Sequence, residues 1–212
     1  MDLLLPGDKI GIDVDGTILD TNSYLIGFAA QKLGLKEPKK FNLDNMNEVF
    51  GISFREAQGI VYLGMQERGF GALSPIPGAV EGITRIVNQG YVPVLVSSRH
   101  GEFSEVTRTN IRNHFQTSFP AGYSTNHPHL DSNPGCLSKP GLCLKKGIKV
   151  MIEDSLTEAE RLADAGIWVV LMDRENRYNL NGNTPDLILL TRSWKENIAA
   201  IDYISSGNVY IR

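Results

Sequence analysis

Cysteine is nearly absent: Cys136 and Cys143 are the two in 212 residues. That excludes a disulfide framework, and their separation fits no common zinc or redox spacing, so reduced thiols in a cytoplasmic protein are expected, with a single disulfide as the alternative. No apolar run approaches the ~20 residues that a bilayer-spanning helix requires. The opening stretch "MDLLLPGDK" has an early acid and no basic start, unlike a secretory leader. The net charge of −3 supplies no bulk attraction to anionic membranes or nucleic acid, although one local basic pocket would not register in it. No repeat of solenoid period is present. What remains is a chain of soluble-domain composition, 42% apolar and 21% charged, long enough to bury a real core.

Short apolar runs rich in β-branched residues predict strands at Lys9–Val14, Tyr91–Val96, Lys149–Ile152, Trp168–Met172 and Leu187–Leu190. Helical spacing lies between them, at Val80–Gln89, Phe103–Phe115, Leu156–Ala165 and Trp194–Ile204, with a further helix from Pro140 to Gly147. This alternation predicts an α/β fold with a Rossmann-like parallel sheet covered by helices on both faces. Residues 21–74 break the rhythm. They offer helical candidates, Tyr24–Leu33 and Phe54–Arg68, without a core strand, so a helical insert is expected between a core of 1–20 and 75–212. "SPIPG", Ser74–Gly78, is its expected return hinge. Residues 116–138 form a long irregular stretch, a feature that tends to be functional, with a short strand expected near Ala121–Ser124.

In open parallel sheets ligands bind beyond the carboxyl ends of the strands. There the chain places Asp13 and Asp15 after "KIGI", Ser97, Ser98 and Arg99 after "YVPVLV", and Glu153 and Asp154 after "KVMI". Lys139 begins a helix and can be carried to the same rim by the long loop. Taken alone, Asp15–Gly16 suits a hairpin turn, and the acids near Asp154 suit a helix N-terminus. Together the groups are chemically consistent with one site. Clustered carboxylates with few His or Cys call for a hard cation, and Mg²⁺ is the expected cofactor. A cation, a lysine and a small hydroxyl suit a phosphoryl group. One carboxylate can attack phosphorus, and another two residues on can transfer the proton. The position of Gly16 rules out an EF-hand loop.

"DVDGT", "VLVSSR", "SK" and "VMIED" resemble, in order, the four motifs of the haloacid dehalogenase-like (HAD) phosphohydrolase superfamily. The resemblance implies Asp13 as nucleophile and Mg²⁺ ligand, and Asp15 as general acid/base that binds Mg²⁺ through its main-chain carbonyl. Ser97 would bond a phosphoryl oxygen and Lys139 would neutralise the phosphoryl group and Asp13. Gly16, Thr17, Ser98 and Arg99 would complete the phosphate contacts. Asp154 would bind Mg²⁺ directly, and Glu153 would orient a metal-bound water. An acid at Asp15 favours phosphatase over dehalogenase chemistry.

The insert resembles a small C1-type cap. "PIPGAVEGITRIVNQGYVPVLVSSR" and "EDSLTEAERLADAGIWVVLMDRENRYN" are similar to stretches of the 5′(3′)-deoxyribonucleotidases and their bacterial relatives. His100 stands where many of these have proline, and "RENRYN" only loosely resembles their Pro-Tyr-Asn turn. The implied substrate is a small phosphorylated metabolite, a nucleoside monophosphate by preference. The alternatives are sugar phosphates, polynucleotide ends, a phosphomutase, or a receiver-like phospho-binding module. Polynucleotide binding is disfavoured by the acidic balance and the lack of a basic run. His127 and His129 with Asp131 and Cys136 could hold a metal, but a polar surface loop is the better reading. The insert aromatics Tyr24, Phe28, Phe41, Phe50 and Tyr62 could stack a nucleobase, but most are expected in a small core and none is singled out as a base contact.

Overall fold

The structure is a computed structural model that describes residues 3–38, 45–115, 119, 123–124, 137–178 and 185–207. Its strands are β1 (Lys9–Ile12), β2 (Val92–Ser97), β3 (Tyr123–Ser124), β4 (Ile148–Glu153), β5 (Trp168–Met172) and β6 (Ile188–Thr191). They form one sheet in the order β3-β2-β1-β4-β5-β6, and every pair is parallel. The helices are α1 (Thr21–Leu33), α2 (Met46–Phe50), α3 (Phe54–Gln66), α4 (Ala79–Asn88), α5 (Ser104–His114), α6 (Lys139–Lys146), α7 (Leu156–Asp164) and α8 (Trp194–Ser205).

The continuous apolar strands serve two cores, because successive side chains point to opposite faces. Ile10, Ile12, Leu95, Val150, Ile152 and Val170 join Ile83 and Ile86 of α4 and Trp194 and Ile201 of α8. Val94, Val96, Met151, Val169 and Leu171 face the other way, against Leu142 of α6 and Leu162 of α7. Both faces are covered, as the run-like strand sequences require. Cys143 is a buried free thiol in the second core, and burial pushes it up to about 12, well out of the nucleophilic range.

The strand and helix expectations hold to within a few residues, and the differences have local causes. β1 stops at Ile12 because the chain turns at once: the N–H groups of Ile18 and Leu19 both donate to the carbonyl of Val14. α2 and the 3₁₀ turn Arg68–Ala72 are too short to show a helical period, and neither was expected. The helix expected to reach Arg68 ends at Gln66.

The helical stretch between β1 and α4 leaves and returns through one paired crossing. Leu19 bridges Pro75 in antiparallel fashion, Asp20 N–H donates to Ser74 O at 2.9 Å, and Ile76 N–H to Ile18 O at 2.8 Å. Within it, α3 is started by a reciprocal cap: Ser53 Oγ accepts from Glu56 N–H while the Glu56 carboxylate accepts from Ser53 N–H. Its apolar residues Leu25, Ile26, Ala57 and Ile60 are continuous with the sheet core. Leu25 and Ile26 belong to α1, which packs against α3.

In the irregular stretch, β3 pairs with β2 at Val96–Tyr123 and Ser97–Ser124. His127, His129, Asp131 and Cys136 lie outside the described residues, as does Phe41. Among the described residues no helix is long and apolar enough to cross a membrane.

Candidate active site

Parallel register brings the acids together. Ile12 is aligned with Leu95 of β2 and with Ile152 of β4, so Asp13 follows at the same level as Val96 and Glu153. Asp13 N–H donates to Ile152 O at 2.9 Å, which extends the ladder to the first acid. Lys139, first residue of α6, is set by a cap in which Ser138 Oγ accepts from Gly141 N–H, with Pro140 in the first turn. Its ammonium donates to Asp13 Oδ1 at 2.7 Å and to Glu153 Oε2 at 2.8 Å, and all three side chains are almost fully buried.

Asp154 completes the cluster. One carboxylate oxygen from each of Asp13, Glu153 and Asp154 lies within 4.8 Å of the others. Three carboxylates, two of them buried, against the Lys139 ammonium and the Arg177 guanidinium 3.7 Å from Asp154 Oδ2 leave an excess of negative charge. Burial raises Asp13 to about 8, an effect that Lys139 opposes and Glu153 and Asp15 reinforce. Burial likewise raises Glu153 to about 7. Lys139 is pushed the other way: burial opposes its charge, but Asp13 and Glu153 outweigh that and hold it well above its ordinary value. Such a cluster either shares a proton or takes up a cation, and the hard oxygen donors fit Mg²⁺.

Asp15 has a different environment. It receives a two-pronged contact from Arg99, with Nε 3.1 and 3.0 Å from its two oxygens and Nη2 2.6 Å from Oδ1. Burial works against the Asp15 charge, yet the Arg99 guanidinium holds its carboxyl below the usual carboxylate range. Arg99 is itself buried, over the Phe70 ring at 4.7 Å, and donates to Thr21 Oγ1 and Thr107 Oγ1. Four of the five guanidinium N–H groups of Arg99 thus go to Asp15 and two hydroxyls, which makes it the counter-charge of Asp15.

Thr17 is also turned inward. It is wholly buried, its carbonyl accepts from Trp194 Nε1 at 2.9 Å, and its hydroxyl has no partner among the described residues. It fixes the turn after Asp15 and offers nothing to solvent. Ser97 ends β2, almost buried, with its hydroxyl accepting from Arg99 N–H at 3.1 Å; Ser98 follows, partly exposed. Gly16 has φ +74°, and a Cβ there would overlap the Asp154 carboxylate and lie 2.6 Å from Asn22 Nδ2. Only glycine fits between the two acid-bearing loops.

Four contributors were missed by sequence reasoning. Asn22, in the first turn of α1, donates to Asp154 Oδ2 at 3.2 Å. Asp173, buried just beyond β5, accepts from the N–H groups of Arg177 and Tyr178, each at 2.8 Å. Arg177 Nη2 and Tyr178 Oη then donate to the Asp154 carbonyl at 2.9 and 3.0 Å. The strand-end rule that singled out the other acids applies equally to Asp173 and could have found it. Asn22 carried no such signal.

No family model matches the sequence, and none of the curated proteins matches it. Solved structures do. A haloacid dehalogenase-like hydrolase from Streptococcus pneumoniae superposes with TM-score 0.64 at 15% identity, covering 92% of this chain and 98% of its own. A predicted phosphatase from Clostridium acetobutylicum gives 0.62 at 14%, covering 93% and 99%. The HAD hydrolase YfnB of Bacillus subtilis, solved bound to magnesium, gives 0.54 at 13%, covering 92% and 99%. At these identities the likeness is one of architecture: the chain has the fold of the haloacid dehalogenase-like hydrolases.

Proposed function

We propose that this chain is a Mg²⁺-dependent phosphomonoesterase working through a phospho-Asp13 intermediate. The observation that carries the reading is the bridging of Asp13 and Glu153 by Lys139, with Asp154 completing a compact carboxylate cluster. Asp13, Asp154 and the main-chain carbonyl of Asp15 would hold Mg²⁺, with Glu153 orienting a metal-bound water. When bound, the cation supplies charge neutralisation for the phosphoryl oxygens and keeps the buried Asp13 carboxylate ionised. Magnesium in the Bacillus subtilis structure is consistent with this choice.

A carboxylate oxygen of Asp13 attacks phosphorus, forming an O–P bond as the bond to the leaving oxygen breaks. Asp15 donates a proton to that oxygen, then takes one from the water that attacks phosphorus and releases Asp13. Lys139 balances the charge around Asp13, and Ser97 and Ser98 stand at the neighbouring strand end for the phosphoryl oxygens. Arg99 favours the ionised form of Asp15, the form that activates water. Protonating the leaving oxygen is then the harder half, so aryl phosphates should be cleaved faster than alkyl phosphates.

Residues 21–74 act in this reading as a cap that selects the leaving group, and a nucleoside monophosphate is the preferred substrate class. An open groove lies along α1, lined by Tyr24, Phe28, Gln31, Lys32 and Glu67 among others, with none of Asp13, Ser97, Lys139 or Asp154 in its lining. Aromatic rings beside hydrogen-bonding groups would suit a nucleoside there. The test is a phosphatase screen over nucleotides, sugar phosphates and 3′-phosphorylated oligonucleotides, with Asp13→Asn as control. Turnover that survives Asp13→Asn or persists in EDTA refutes the chemistry. Uniform rates across the panel refute the nucleotide preference.

A further inference from the structure

Asp154 is held from outside its own loop. Its carbonyl receives two donors, Arg177 Nη2 at 2.9 Å and Tyr178 Oη at 3.0 Å, both from the segment after β5. The Tyr178 hydroxyl also accepts from Leu156 N–H at 3.3 Å, which ties down the start of α7. On the other side Glu153 Oε1 accepts from the N–H groups of Asp154 and Ser155, at 3.3 and 3.2 Å. The main chain on both sides of Asp154 is thus fixed. Arg177 is fixed in turn: its Nε lies 3.3 Å from Asp173 Oδ1, and its guanidinium lies 4.8 Å over the Tyr178 ring.

This matters because the cluster opposes itself. The Asp154 carboxylate is partly exposed and close to two buried acids, so like-charge repulsion favours its swinging outward before a cation arrives. We infer that Arg177 and Tyr178 are positioning residues for the divalent cation, gripping the Asp154 carbonyl so that its carboxylate stays within the cluster. The inference rests on the proposal that Asp154 is a metal ligand. It extends the working part of the site to a strand link that none of the four motifs contains.

Charge and position predict opposite signs here. Arg177 Nη2 lies 3.7 Å from Asp154 Oδ2, so as a bare charge it would repel an incoming cation. If charge were its whole effect, Arg177→Met would tighten metal binding. Positioning requires that it weaken. Removing groups that orient metal ligands typically costs 10–100-fold in affinity.

The experiment is an EPR-detected Mn²⁺ titration of the full chain, comparing wild type with Tyr178→Phe and Arg177→Met. Arg161→Ala, an exposed ion-pair partner on α7, is the control. The expected result is Mn²⁺ binding about 10-fold weaker in both variants and unchanged in the control. The Mg²⁺ concentration needed for half-maximal aryl-phosphate turnover should rise in parallel. A role confined to stability would lower the melting temperature and leave Mn²⁺ affinity alone. Wild-type or tighter affinity in either variant overturns the inference. Should Arg177→Met fail to fold, Tyr178→Phe decides by itself. If wild-type protein binds no Mn²⁺ that Asp154→Asn weakens, the cation site itself is refuted and the inference falls with it.

Discussion

Gly16→Ala is the sharpest probe of the two acid-bearing loops. At φ +74° an L-residue is disfavoured by roughly 1–2 kcal/mol, whatever surrounds it. The new Cβ would also stand 2.8 Å from Asp154 Cγ, whereas carbon atoms pack at about 3.5–4.0 Å. Asp154 must then retreat by about 1 Å, and misplacement on that scale can cost on the order of 100-fold in rate. Gly34→Ala isolates the backbone contribution: φ is +67° there and a Cβ would meet nothing within 4 Å. Gly34→Ala should lose about 2–8 °C of melting temperature, from 2–4 °C per kcal/mol for a chain of this size, and Gly16→Ala at least as much. Only Gly16→Ala should lose the ~100-fold in Mg²⁺-dependent hydrolysis of an aryl phosphate, measured at saturating metal. Equal activity in the two variants would refute the close apposition of Gly16 and Asp154.

The carboxylate cluster sets a pH dependence whose sign can be stated. Asp13 is raised to about 8, so between its unfolded value near 3.8 and about 8 the folded protein holds more protons than the unfolded chain. Metal-free stability should therefore fall as pH rises through that window. Millimolar Mg²⁺ should stabilise most at the upper end, and Asp13→Asn should remove the part of the slope above pH 7, leaving that of Glu153, which burial raises to about 7; thermal melts from pH 5 to 8 with and without Mg²⁺ check all three. Asp15 behaves oppositely: its lowered value gives stability complete above pH 3.8 and lost as pH falls through the folded value. Arg99→Met should erase that acid limb and cost about 3 kcal/mol by stranding the Asp15 carboxylate, seen in denaturant titrations. Lys139→Met should cut aryl-phosphate turnover by on the order of 100-fold or more, while a mild effect would place the balancing cation elsewhere.

Most of the fold was legible in the chain. Five apolar runs and the helical spacing between them located the strands and flanking helices, because a strand buried on both faces must be continuously apolar. The acids and hydroxyls at strand ends were equally visible, since a parallel sheet delivers all its carboxyl ends to one rim. α2 and the turn Arg68–Ala72 were not visible, because a helical period needs more residues than they contain.

What each polar residue does at the rim was decided elsewhere. That Arg99 is the counter-charge of Asp15 was not legible in the chain, because it depends on burial over Phe70. Thr17 looks available in "DVDGT" and is sealed beneath Trp194, 177 residues away in the chain. Asn22, Arg177 and Tyr178 reach Asp154 from two separate connections. The sequence by itself determined which groups arrive at the strand ends, because hydrophobic periodicity sets strand position and direction. Only the tertiary structure decided their partners, because a buried charge or hydroxyl is defined by whichever distant segment supplies its hydrogen bonds.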